Sequence, residues 1–583
     1  VTEPRASATA RPTGGILPAA EVVAGVRITR DVAMTLRDGT VLRSDVYAPA
    51  ASAGPVPVLL FRTPYGKGMA DDATYQSPPW YVRQGFIVVV QDVRGRGTSG
   101  GRFEPFVNEA LDSYDAVEWA ARLPGANGRV GMYGASYPGM LQLLAATQRP
   151  PSLGAIAPAV AAADIHAHWT YEGGALNLAF AAWWAVSLSA VEAGRYGWDE
   201  VAARLAGPLV DPSSWFGSAA PADLDPLPDC APWYREWLAH PTRDDYWDRR
   251  DALTRLADIE VPTLHIAGWF DIFLSGGVDA FRRLTALGRS PQHLLVGPWM
   301  HYPWGHRAWQ LRSGAAGQGT VTVDRAQVAF FRRHLAGDGS AETLPPVRYW
   351  SIHADAWRDA AAWPPADAVE AAWNLRSAGS ANGVGGDGRL ATDEPPAGEA
   401  DLVNFLPAFP VPSTGGHSCC YPGRSPMGVA DQAPVEEMAQ VLVYTSDELT
   451  EPVDLAGDVR AELWVSTDAP AADYVARLCV VDCCGSWNIA EGIQRVPAGG
   501  TAVNGRGEPF RVEVALRSIA ARVDAGKRLR LHVTFGSFPQ WSVNPQTGAS
   551  PEWTAPADGR PAIHAVHHDE AHPSRLVVTV MPS

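Results

Sequence analysis

The chain has 583 residues, 46% hydrophobic and 19% charged, with a formal net charge of −16 at pH 7. That length exceeds one hydrophobic core, so about two to four domains are expected. The acidic balance argues against a nucleic-acid partner, which needs basic patches, and against an anionic membrane surface.

No run approaches the ~18 consecutive apolar residues of a membrane span. Residues 1–10 lack the apolar core of a signal peptide, so a cytoplasmic protein is the expectation. Residues 1–25, rich in Ala, Pro, Thr and Gly at their start, are expected to be mobile. Residues 26–36 and 41–47 alternate on either side of Asp38-Gly39, a β-hairpin signal. Residues 57–61 and 86–90 are short apolar runs, as strands buried on both faces would be, with a short helix at 79–85 between them. A helix is expected over 109–122, where Leu111, Tyr114, Val117 and Ala121 recur at helical spacing. Strand 130–133, helix 139–147 and strand 153–157 follow. This alternation defines an α/β domain with a largely parallel sheet, assigned to 26–159 and 251–345.

Over 160–250 the alternation stops. Trp169, Trp183, Trp184 and Trp215 stand among alanines and prolines, and a helical insertion covering the sheet is expected. The sheet resumes at 262–268 and 293–297, separated by a helix near 277–287. Residues 346–583 read as an all-β sandwich, with strands at 347–350, 440–444, 459–465, 474–481, 510–514, 529–535 and 576–580. The six cysteines are Cys230, Cys419, Cys420, Cys479, Cys483 and Cys484. Cys479-x3-Cys483-Cys484 has no histidine at the usual ligand spacing, so buried thiols rather than a metal site are expected. No cofactor is expected.

The chemistry centres on Gly134-Ala135-Ser136-Tyr137-Pro138-Gly139, which follows a strand and precedes a helix. This resembles the G-x-S-x-G nucleophile elbow, with Pro138 where the second glycine should stand. A stricter spelling occurs at Gly97-Thr98-Ser99-Gly100-Gly101, but Pro105 disfavours a helix after it. Residues 140–147 are strong helix formers, so context selects Ser136 as the nucleophile. A serine hydroxyl needs a base, and the base an orienting group. In an α/β hydrolase the acid and histidine follow the serine, after later strands. His301 and Asp271 stand just past consecutive strands, where ligands meet such sheets. His306 competes for the base and Asp279 for the acid, whereas His265 and His293 lie within or at the start of strands and read as structural.

The order of motifs resembles the family that joins bacterial cocaine esterase, the α-amino acid ester hydrolases and the X-prolyl dipeptidyl-peptidases. The matching stretches are Arg62-Thr-Pro-Tyr-Gly-Lys67, Gln91-Asp-Val-Arg-Gly-Arg-Gly-Thr-Ser-Gly100, Gly131-Met-Tyr-Gly-Ala-Ser-Tyr-Pro-Gly139, Gly268-Trp-Phe-Asp271 and Gly297-Pro-Trp-Met-His301. The family elbow reads G-x-S-Y-x-G, which fits Tyr137, Pro138 and Gly139. The resemblance implies an α/β-hydrolase core, an inserted helical cap and a C-terminal jelly-roll-like domain. It assigns Ser136, Asp271 and His301 as the triad. The Tyr65 hydroxyl and the Tyr137 amide are assigned as the oxyanion hole. Phe273, Trp169 and Trp184 look similar to aromatic residues lining the substrate pocket of cocaine esterase, which implies an apolar or aromatic acyl group. The positions after the acid, Ile272, Phe273 and Leu274, lack the carboxylate that α-amino acid ester hydrolases use to hold an ammonium, although Glu172 in the cap could replace it.

The expected function is acyl-ester hydrolysis through a Ser136 acyl-enzyme, on a small-molecule ester or amide. An amidase, peptidase or acyltransferase using the same intermediate is the second reading. The third is a silent protein that binds through its β-sandwich. A homodimer is the macromolecular partner left open.

Overall fold

The computed structural model describes residues 20–51, 54–69, 75–211, 216–217, 219–301, 320–393, 398–419, 427–498 and 507–582. Trp215, His306, Cys420 and most of the N-terminal segment expected to be mobile lie outside these residues. The described end of that segment is ordered: strand β1 (Ala20–Val23) pairs antiparallel with β2 (Val26–Thr35), and these backbone hydrogen bonds hold it although its side chains are exposed.

The expected hairpin is present. β2 turns through Gly39 into β3 (Val41–Pro49), with Thr35 opposite Val41. β4 (Val56–Thr63) and β5 (Ile87–Asp92) are almost wholly buried, as their continuous apolar runs require. The sheet continues with β6 (Ala126–Ala135) and β7 (Leu153–Ala159). A small hairpin in the insertion supplies β8 (Tyr171–Glu172) and β9 (Ala175–Leu176). Back in the sheet, β10 (Thr263–Phe270), β11 (Gln292–Met300), β12 (Val347–Ser351) and β13 (Ala356–Ala360) follow. The strand order is β1-β2-β3-β5-β4-β6-β7-β10-β11-β12-β13, parallel from β5 to β12. One element falls elsewhere than the sequence suggested. The strand at 347–350, read as part of the sandwich, is β12, because Leu294–Val296 of β11 take it as a parallel neighbour.

Helices α1 (Pro78–Arg83), α2 (Glu109–Ala120) and α3 (Tyr137–Thr147) connect the strands. The core on one face of the sheet joins Val58, Met132, Met140 and Leu141 to Trp169, Phe180, Trp184 and Trp237 of the insertion. The insertion is mainly helical, with long helices at Leu178–Tyr196 and Asp199–Val210, and it shares that core. The opposite face packs Leu59, Val88 and Tyr133 against Tyr81, Phe331 and Leu335.

The C-terminal part forms a second sheet of eleven strands among the described residues. Val453–Thr467 pairs antiparallel with Phe510–Val523, Ala562–His567 and Arg575–Val580. Ala472–Asp482 lies between Gly485–Val496 and Arg528–Thr534. Trp269 and Phe270 of β10 share a hydrophobic core with this sheet. Polar ties complete the junction. His417 Nε2 donates to the Trp269 carbonyl at 2.7 Å, two residues before Asp271. The Arg495 amide donates to the Gly173 carbonyl at 2.7 Å. Gly173 permits that approach, since a Cβ there would sit 1.8 Å from the Ile493 carbonyl oxygen.

Candidate active site

Ser136 follows β6 directly and caps α3, with φ 65° and ψ −127°. A left-handed backbone at a non-glycine residue costs about 1–3 kcal/mol and persists only where its surroundings enforce it. Here they do. The Ser136 amide donates to the Ala159 carbonyl at 2.9 Å, fixing the turn against β7. A Cβ on Gly134 would lie 2.6 Å from Pro138 Cβ, and one on Gly139 would lie 2.7 Å from Ala161 Cβ. Both glycines of the motif are therefore required by close approach. Pro138 falls in the first turn of α3, where its missing N–H breaks no helical bond.

Asp271 follows β10 and His301 follows β11, so adjacent parallel strands deliver them at the carboxyl edge of the sheet. His301 Nε2 lies 3.0 Å from Ser136 Oγ, and His301 Nδ1 lies 2.6 Å from Asp271 Oδ1. A carboxylate that accepts from Nδ1–H leaves Nε2 as the acceptor facing the serine. Asp271 is fully buried and His301 nearly so.

The residues expected to form the oxyanion hole are Tyr137 and Tyr65. The Tyr137 amide is the first of α3, and first-turn amides have no partner within their own helix. Tyr65 follows β4, the parallel neighbour of β6, so it leaves the sheet at the edge that carries Ser136. Trp184 Nε1 donates to the Tyr65 hydroxyl at 3.1 Å. Because an indole can only donate, the Tyr65 oxygen is the acceptor in that bond.

The three aromatic residues singled out in the sequence meet here. Phe273 touches the His301 ring edge-to-face at 5.0 Å and stacks on Trp169 at 4.7 Å. Trp169 meets Trp184 edge-to-face at 5.2 Å, and Trp184 stacks on Tyr137 at 5.8 Å. The rings thus run continuously from the histidine to the elbow.

Other candidates are accounted for differently. Ser99 Oγ donates to the Asp92 carbonyl at 2.7 Å and accepts from the Arg43 amide at 2.9 Å, which makes it a loop brace. Asp279 pairs with Arg283 one helical turn on, at 2.8 Å. His265 bonds Gln292 at 3.0 Å, and burial pushes its pKa down to about 4. His293 bonds the Pro345 carbonyl at 2.9 Å. Glu172, considered as an ammonium holder, is already committed: it pairs with Arg517 and accepts from Trp541 Nε1 at 3.2 Å. Cys479 is a buried thiol, and strand pairing brings His532 Nε2 to 3.9 Å from it, a neighbour that linear spacing concealed. That histidine is held by Glu436 at 2.8 Å. Cys419 is disulfide-bonded.

Sequence reasoning also missed what supports the elbow. The Tyr137 hydroxyl donates to Glu109 Oε1 and accepts from the Phe106 amide, each at 3.0 Å. Glu109 pairs with Arg62 at 2.9 Å, and both are buried. Burial pushes the Glu109 carboxyl up, while Arg62 opposes the shift. The only linear signal was an arginine closing the otherwise apolar run of β4. Arg96 acts on Tyr65 from outside the site: its Nε donates to the Pro64 carbonyl at 2.7 Å, and its guanidinium pairs with Glu192 at 2.9 Å. Breaking a buried ion pair leaves an uncompensated charge, so Glu109→Ala is expected to cost about 3–5 kcal/mol in urea unfolding. A loss below about 1 kcal/mol, the scale of an exposed pair, would show that the brace does not hold the elbow.

A strained serine elbow, a histidine and a buried carboxylate on a mostly parallel sheet define a serine hydrolase of the α/β-hydrolase class. Residues 38–303 match the X-Pro dipeptidyl-peptidase S15 family, and residues 339–577 match the X-Pro dipeptidyl-peptidase C-terminal non-catalytic domain. A cocaine esterase from Rhodococcus sp. (strain MB1 Bresler) is 32% identical over 572 residues, 95% of this chain and 98% of the relative. Among solved structures, an aminopeptidase from a marine sediment Thaumarchaeota archaeon aligns with TM-score 0.78 and 22% identity, covering 95% of this chain and 97% of its own. An α-amino acid ester hydrolase aligns with TM-score 0.77 and 21% identity, covering 99% and 100%. The chain belongs to the S15 family of serine hydrolases.

Proposed function

We propose that this protein hydrolyses carboxylic esters with an apolar or aromatic acyl group through an acyl-enzyme on Ser136. The carrying observation is the unbroken row Ser136 Oγ, His301 and Asp271, with separations of 3.0 and 2.6 Å. In this reading His301 Nε2 takes the Ser136 proton as Oγ attacks the carbonyl carbon. The imidazolium, stabilised by Asp271, then protonates the departing alkoxide, and the neutral histidine activates water to release the acid. The Tyr65 hydroxyl and the Tyr137 amide donate to the carbonyl oxygen as it becomes negative. Phe273, Trp169 and Trp184 favour an apolar acyl group, because buried rings against the base offer contact area without charge. The cytoplasm as compartment belongs to the same proposal; free thiols at Cys230, Cys479, Cys483 and Cys484 support it, and the disulfide at Cys419 counts against it.

A peptidase acting on X-Pro dipeptides needs a carboxylate for the free ammonium. The engagement of Glu172 with Arg517 and the apolar Ile272-Phe273-Leu274 both favour esters. The proposal is tested with benzoyl and acetyl aryl esters, α-amino esters and proline dipeptide amides. Aryl esters of aromatic acids are expected to give the highest kcat/KM, and a preference for the dipeptide amides would overturn the substrate assignment. Tyr65→Phe should lower kcat by about 10²–10³-fold, the cost of one oxyanion donor, with little change in KM. An unchanged kcat would remove Tyr65 from the oxyanion hole.

A further inference from the structure

The cysteine run noted in the sequence does not form one cluster. Cys479 is buried as expected, whereas Cys483 and Cys484, expected to be buried as well, are exposed. Strand Ala472–Asp482 pairs with Gly485–Val496 up to the pair Asp482 and Gly485, so Cys483-Cys484 is the whole two-residue hairpin turn. Their sulfur atoms lie 3.3 Å apart. An Asp482 carboxylate oxygen lies within 4.8 Å of both sulfurs.

The turn is held from beneath. Asp482 Oδ1 accepts from the Cys484 amide at 2.8 Å, the Gly485 amide at 3.2 Å and Trp487 Nε1 at 3.1 Å. Asp431 Oδ1 accepts from the Ser486 amide at 3.1 Å, securing the next residue. Two sulfurs fixed this way need no backbone rearrangement to bind one soft centre.

From this geometry we propose that Cys483 and Cys484 form a chelating dithiol site for a thiophilic metalloid or soft metal centre. Soft thiolates select such centres over hard, oxygen-loving cations. With a trivalent arsenical R–As=O the step balances without an oxidant. Two S–As bonds form, the As=O bond is lost, and the two thiol protons leave with the oxygen as water.

The test uses the full chain with Cys419→Ser in every variant, because a phosphine would also open the disulfide at Cys419 and free a second pair of thiols; the chain is reduced with a phosphine, and phenylarsine oxide is the probe. Intact mass spectrometry should show one phenylarsenic adduct per chain, with two fewer thiols titrated by Ellman's reagent. Cys483→Ser and Cys484→Ser should each abolish the adduct, whereas Cys230→Ser and Cys479→Ser should retain it. Ester hydrolysis by each variant checks that it is folded. An adduct that survives in Cys484→Ser, or no adduct on the reduced chain carrying Cys419→Ser alone, overturns the proposal.

Discussion

Ser136→Ala is expected to lower kcat by about 10⁶-fold, the scale seen when a serine nucleophile is removed from such a triad. Alanine keeps the Cβ and removes only the hydroxyl, so the strained turn should survive. The Ser136 amide bond to Ala159 and the tight approaches at Gly134 and Gly139 do not involve Oγ. The loss should therefore appear in kcat with the unfolding midpoint nearly unchanged. Residual turnover would come from the oxyanion donors and from binding alone. Stopped-flow or long-time hydrolysis of an aryl ester measures it. A loss smaller than about 10-fold would mean that another group is the nucleophile.

Asp271→Asn is expected to lower kcat by about 10⁴-fold at neutral pH, as the analogous change does in other triads. The change is nearly isosteric, so packing around this fully buried residue is kept. What changes is the proton on His301. The carboxylate Oδ1 now accepts from Nδ1 at 2.6 Å, while Oδ2 has no hydrogen-bond partner among the described residues. With no second bond to orient an asparagine, its NH2 can face Nδ1 and drive the histidine proton onto Nε2. Nε2 would then donate to Ser136 and could not take its proton. KM should move little, because the acid contacts the base rather than the substrate. Equal loss in KM and kcat, or a kcat within 10-fold of wild type, would contradict this role for Asp271.

Much of this site was legible because its chemistry is written at strand ends. Ser136, Asp271 and His301 each follow an apolar run, and a fully buried strand such as β10 can be read from that run alone. The glycine pattern was equally direct, since close approach at Gly134 and Gly139 leaves room for no other residue. Tyr65 was different. Nothing in a turn tyrosine announces an oxyanion donor, and only the family resemblance pointed to it. The supporting pair Arg62 and Glu109 was hidden because the two residues are brought together across separate elements.

The second sheet shows the limit most clearly. Strand Gly485–Val496 escaped the alternation rule because its inward positions include Glu491 and Arg495. Glu491 is neutralised by Arg477 at 3.0 Å and Arg495 by Asp473 at 2.7 Å, both partners lying on the adjacent strand. A charged residue inside a strand reads as solvent-facing until its partner is known, and the partner is a matter of register. The division of 346–583 from the core failed at β12 for a related reason. Its sequence, Val-Arg-Tyr-Trp-Ser, says strand without saying which sheet.

The central claim is that Ser136 is the nucleophile, activated by His301. Its most direct test is covalent labelling with a fluorophosphonate, followed by peptide mapping of the modified residue. One label per chain is predicted, on Ser136, absent in Ser136→Ala and strongly slowed in His301→Ala. Labelling of Ser99, or equal labelling of wild type and Ser136→Ala, would contradict it.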